Sequence, residues 1–227
     1  MISTLLTAAL SYWHWTASQV YDTIIVTPLT KAIYEEESAR LLDKYGRRGF
    51  TLLDVGAATG TTLKVILDTP GLNINHATAL DIDQTYIDAC RVNTALYRQV
   101  NVVKADFMSE GMQLDRQYDT ILFGFSFMFM TANYEQTFKV IRSKLRPTGE
   151  VVIYLTLYDE ANSLLDFIKP NIKYLTSIDF GPSVYIADLF DAFKNHGFDV
   201  LEVDRMQGNG SMLLKTFGVH RIVIKPK

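Results

Sequence analysis

Hydrophobic and polar positions along this chain follow two periods. From residue 50 onward, short apolar runs alternate with stretches whose apolar residues recur every three or four positions. The first pattern marks buried strands and the second marks helices packed on one face. Residues 50–55 read as a strand, followed by a glycine-bearing turn and a helix over 61–67. A strand over 77–82, a helix over 84–97 and a strand over 100–104 come next, then a short helical or irregular piece over 109–114. The fourth strand covers 118–123, and a helix over 132–145 leads to the fifth, 150–157. A helix over 186–196 stops at Gly197, and two strand-like segments, 199–206 and 219–224, form an antiparallel pair at the sheet edge. Parallel neighbours need crossover connections, so the alternation predicts a mostly parallel sheet covered by helices on both faces. Ligands of such sheets collect at the carboxyl ends of the strands.

The first 21 residues carry no Lys, Arg, Asp or Glu, and Leu6, Leu10, Trp13, Ala17, Val20 and Ile24 recur at helical spacing. Polar residues from Ser3 to Gln19 interrupt the apolar run too often for a secretory signal or a membrane span. The amphipathic helix that results covers a substrate pocket, packs on the domain, or lies in a membrane interface. The membrane alternative is the weaker one, because no basic residue precedes Lys31 to meet anionic headgroups. A second helix opens at Pro28 and runs to Tyr45, with Gly46 as its stop. Residues 1–46 are thus helices that cover the pocket, and 47–227 are the core of a single structural domain.

Composition narrows the partners. The 227 residues are 48% hydrophobic and carry a net charge of -3, which gives no basic field and argues against a nucleic-acid partner. The one cysteine, Cys90, forms no intrachain disulfide and fits a reducing, cytoplasmic setting as a small half-buried side chain. The histidines His14, His76, His196 and His220 lack the spacing of a metal site, so no metal is expected.

Three strand ends carry the chemistry. Asp54-Val-Gly56-Ala57-Ala58-Thr-Gly60 lets the backbone approach a ligand closely, and its acid suits a cationic amino group or water bound to it. Asp81, which ends the next apolar strand and is followed by Ile82, can accept both hydroxyls of a ribose, while Asp83 looks like the N-cap of the following helix. After the third strand, Asp106 can take an adenine N–H and Phe107 can pack on its face.

In this order the set resembles the class I S-adenosylmethionine-dependent methyltransferase superfamily over residues 50–157. The resemblance implies a Rossmann-like three-layer α/β/α sandwich with a seven-stranded sheet in the order 3-2-1-4-5-7-6, an antiparallel edge strand and extra N-terminal helices. It implies S-adenosylmethionine as cofactor and S-adenosylhomocysteine as product. Asp54, Gly56 and Gly60 then line the methionine portion, Asp81 the ribose, Asp106 and Phe107 the adenine. Phe123 and Gly124 lie beside the methionine part and the transferred methyl, and Tyr21, in a Tyr-Asp pair like that of lipid and quinone methyltransferases, lies over the cofactor. Two positions depart from the pattern: Ala58 replaces the middle glycine, which is tolerable where φ stays negative, and Pro147-Thr148-Gly149 replaces Pro-Gly-Gly. The Gly56-x-x-x-Gly60 spacing differs from the Gly-x-Gly-x-x-Gly of nicotinamide dehydrogenases.

The acceptor is less explicit. Phe123-Gly-Phe-Ser126-Phe-Met128-Phe-Met130 is apolar, with alternate side chains expected to face the cofactor, and no Asn-Pro-Pro-Tyr or Asp-Pro-Pro-Tyr motif of nucleobase methyltransferases occurs. This favours transfer to N or O of a small, partly apolar or lipid-like acceptor, with Tyr12, Trp13, Trp15 and Tyr21 completing the enclosure. The alternatives are a protein (lysine or terminal amine) methyltransferase and a non-catalytic cofactor-binding relative. Where a base is needed, His14, Tyr154, Tyr158 and Asp159 are the candidates.

Overall fold

A computed structural model describes residues 31–110, 113–160, 166, 167, 169, 181–206 and 218–227. Helix α1 (Lys31–Tyr45) leads into strand β1 (Phe50–Val55), then α2 (Thr61–Leu67), β2 (Ile74–Asp81), α3 (Gln84–Asn93) and β3 (Val100–Lys104). The chain continues through α4 (Phe107–Glu110), β4 (Tyr118–Gly124), α5 (Tyr134–Lys144) and β5 (Leu145–Tyr158). It ends with β6 (Val184–Tyr185), α6 (Ile186–Asn195), β7 (Phe198–Arg205) and β8 (Val219–Pro226).

The sheet runs β3-β2-β1-β4-β5-β8-β7. This is the expected order, renumbered by the two-residue β6, an eighth strand that pairs with β5. Strands β1 to β5 are parallel, and β8 is antiparallel to both β5 and β7. Every residue of the central β1 is buried, as a strand covered on both faces requires. Its alternation divides the core: Leu53 and Val55 pack with Phe123 and Ile153 on one face, Phe50 and Leu52 with Leu122 and Tyr154 on the other.

Local chemistry moved several boundaries. Asp83 caps α3 by accepting from the Thr85 and Tyr86 amides, as its position predicted. The helix stops at Asn93 rather than continuing to residue 97: Thr94 leaves helical geometry at φ of -106° and ψ of 7°, its hydroxyl donates to the Cys90 carbonyl, and the chain tightens to three-residue bonds beyond it. Strand β5 starts at Leu145, which pairs with Tyr118 before a register shift. In α1, Ile33, Tyr34, Glu37, Ser38, Leu41 and Tyr45 turn inward at three- and four-residue spacing. Glu37 meets Arg221 of β8 at 2.7 Å, which ties the helix to the far half of the sheet.

Candidate active site

The predicted acids gather at the carboxyl ends of β1, β2 and β3. After β1 the chain folds back on β2, with the amides of Gly56 and Ala57 both donating to the Leu80 carbonyl at 2.8 and 3.0 Å. Gly56 and Gly60 hold φ of 74° and 73°. A Cβ on Gly56 would run into Ser126, and one on Gly60 would lie 2.6 Å from the Cys90 sulfur, so both positions need glycine for space as well as for conformation.

Ala58 does not keep the negative φ expected of it; its φ is 46°. The reason lies in what this conformation places: the Ala58 amide donates to Asp81 Oδ2 at 2.9 Å while the Asp83 amide donates to Oδ1 at 2.9 Å. Asp81 is therefore pinned between two turns, and each oxygen retains a second lone pair for a ligand hydroxyl. Burial raises its pKa, and the two amides oppose that rise.

Asp54 has the opposite environment. It is 1% exposed, and among the described residues its Oδ2 has no hydrogen-bond partner. Burial, and then the neighbouring Asp81 charge, push its pKa up to about 7. Cys90 beneath the turn is fully buried rather than half-buried, and burial followed by the Asp54 charge pushes its thiol up to about 12, the condition of an inert side chain.

At the end of β3, Asp106 caps the short α4, accepting from the Met108 amide at 3.0 Å and the Ser109 hydroxyl at 2.9 Å. The Phe107 ring is buried edge-on to Phe123, with centroids 5.4 Å apart. Ile82, next to Asp81, is 66% exposed.

Beyond β4 the strand alternation expected through Met130 does not persist. The chain leaves the sheet at Gly124, Phe125 takes φ of 63°, and residues 127–133 wind into a 3₁₀ segment with a three-residue period. Phe123, Phe127 and Met128 are consequently core, whereas Phe129 is 40% exposed. Two unforeseen contacts form here: the Ser126 hydroxyl donates to the Val55 carbonyl, joining the ends of β4 and β1, and the Tyr34 hydroxyl of α1 sits against Gly124. The helical spacing of Ile33, Tyr34 and Glu37 was the only sequence signal for the second.

Of the base candidates, Tyr154 is fully buried and its hydroxyl donates to Glu37; burial and then the Glu37 charge hold its pKa well above the ordinary value. Tyr158 is half-buried beside Tyr185, with its pKa raised by burial, and Asp159 is exposed. His14 and Tyr21 lie outside the described residues, as do Tyr12, Trp13 and Trp15. Among the described residues no helix is long and apolar enough to cross a membrane.

Residues 52–149 match the family described as a methyltransferase domain. A stretch of 107 residues is 30% identical to the hybrid PKS-NRPS synthetase lepA of Aspergillus flavus, and it spans 45% of this chain but 3% of that protein. Among solved structures, the CurJ carbon methyltransferase superposes with a TM-score of 0.65 at 20% identity, over 92% of this chain and 57% of that one. An S-adenosylmethionine-dependent methyltransferase of Leishmania major reaches 0.70 at 16% identity, over 96% and 82% of the two chains. At these identities the structural likeness is one of fold.

Proposed function

We infer that this chain is a class I S-adenosylmethionine-dependent methyltransferase and that it transfers the methyl group to N or O of a small, partly apolar or lipid-like acceptor. The observation that carries the cofactor site is the pair of acids at the turn: Asp54, buried with an unpartnered oxygen, beside Asp81, held with lone pairs to spare. Bound there, S-adenosylmethionine supplies a methyl on a sulfonium, a leaving group already activated.

The chain's own residues bind and orient. Asp54 offers its carboxyl to the ammonium of the methionine portion, and Asp81 accepts from the ribose hydroxyls. Asp106 takes the adenine amine, and the exposed side chain of Ile82 gains burial against the base. Ser126 fixes the spacing between the ends of β1 and β4, where the reacting groups meet. Phe125 and Phe129 give the acceptor side its apolar character.

Calorimetry with S-adenosylhomocysteine tests the cofactor site: the folded protein binds, and Asp81→Ala weakens binding by about 1.5–3 kcal/mol by removing charged hydrogen bonds. Unchanged affinity in that variant would count against the ribose role. Tritiated-methyl transfer into cell extract, partitioned into lipid, small-molecule and protein fractions, tests the acceptor. A second reading, transfer to carbon, is favoured by the likeness to a polyketide-type synthetase and to a carbon methyltransferase. It predicts a carbon-bound methyl in the isolated product, assigned by its NMR shift.

A further inference from the structure

We propose that Asp54 carries a proton while the cofactor is absent and releases it when the cofactor's ammonium group arrives, so that donor binding is coupled to proton release. The proposal rests on the cofactor reading above and adds a property to that site.

The geometry around Asp54 leaves little else to balance a charge. Its side chain shares a face with Phe50 and Leu52, under α2 and α3, and Oδ2 has no partner among the described residues. The ionisable groups set against it are Asp81 from β2 and the Cys90 thiol from α3. Helix α2 faces it with Leu63, while its Lys64 is bonded to Asp68 at the surface. Helix α1 contributes Tyr34, whose hydroxyl sits against Gly124, and Glu37, already paired with Arg221; β4 contributes Leu122 and Gly124. No described cation is set against Asp54.

Two adjacent carboxylates in this setting hold a proton on one of them. Asp81 is the less suited, because it accepts two backbone amides at 2.9 Å, and an amide donor favours the ionised form. Cys90, with its thiol pushed up to about 12, does not exchange in the relevant range. Asp54 titrating at about 7 fits the remaining role. When the ammonium enters, the O–H bond of the Asp54 carboxyl breaks, the proton passes to solvent, and the carboxylate pairs with a cation that keeps its own protons.

The full chain titrated with S-adenosylhomocysteine, in two buffers of different ionisation enthalpy, reads the proton directly. At about pH 6.5 the wild type releases about 0.8 proton per ligand, and affinity falls roughly 25-fold from about pH 7.5 to 5.5. Asp54→Asn binds more weakly at the upper pH and shows neither effect. Binding by the wild type without proton release overturns the coupling and leaves the cofactor site standing, an outcome that needs no variant. Proton release that persists in a folded Asp54→Asn overturns the assignment to Asp54. No binding by the folded wild type at any pH overturns the cofactor reading together with this one.

Discussion

Glu37 and Asp54 are both 1% exposed on the same side of the sheet, yet their carboxylates have opposite surroundings. Glu37 receives Arg221 Nε at 2.7 Å and the hydroxyl of Tyr154, and Arg221 extends the network to Glu202 on β7. Asp54 Oδ2 receives nothing among the described residues and has another acid as its neighbour. A buried charge with its partners built in serves the fold, here by fastening α1 to β5, β7 and β8. A buried acid without them is a standing cost to the fold, and on the proposed reading a ligand cation removes it.

The largest test breaks the satisfied acid. Arg221→Met leaves Glu37 buried without its cation and destabilises the protein by about 3–5 kcal/mol in urea denaturation. Adding Glu37→Leu recovers most of that loss, since the pair itself gains little over apolar packing. If the single variant were as stable as the wild type, the clasp would not be what seats α1.

The unsatisfied acid behaves in reverse. With a folded pKa of about 7 against an unfolded value near 4, the native state holds a proton that the unfolded chain gives up, so stability falls as pH rises across that window. Asp54→Asn escapes the penalty and is more stable than the wild type above pH 7, by about 2 kcal/mol, with the linkage ceiling at about 4. The gain shrinks as pH falls through that window and is lost by about pH 4, where the unfolded wild type is protonated as well. Urea melts at both ends of the window measure it, and a variant less stable at each pH would remove the contrast with Glu37. The same substitution weakens S-adenosylhomocysteine, so one side chain trades stability for binding.

These two acids were not equally legible in the sequence. Asp54, two residues before Gly56, and Asp81 both lie at the carboxyl ends of apolar strands, where ligands meet the chain in a parallel sheet, so order along the sequence marked both as candidates. Glu37 stands in a run of three glutamates, and only the helical spacing of Ile33, Tyr34, Leu41 and Tyr45 separates the buried one from its neighbours. Arg221 shares the buried stripe of Val219 and Val223, a charge in an apolar strand whose partner is 184 residues away and has no local signature. The segment after β4 misled for a different reason: Phe125, with φ of 63°, ends the strand period at a residue type that gives no warning of a turn.

The smallest effect concerns Ala58, where the turn departs from the usual glycine. Its φ of 46° costs an alanine about 1–2 kcal/mol that a glycine would not incur. Glycine has more freedom to lose from the unfolded chain, which offsets about 0.4–1 kcal/mol of that. Ala58→Gly is therefore stabilising by up to about 1.6 kcal/mol, because the strained conformation is held by the hydrogen bond from the backbone amide to Asp81 whichever residue occupies the position. The substitution leaves that amide in place, so the affinity for S-adenosylhomocysteine stays within about twofold in calorimetry. A larger loss of affinity would mean that the alanine methyl itself touches the ligand. Ala58 would then belong with Asp54 as a position the fold holds at a cost for the sake of binding.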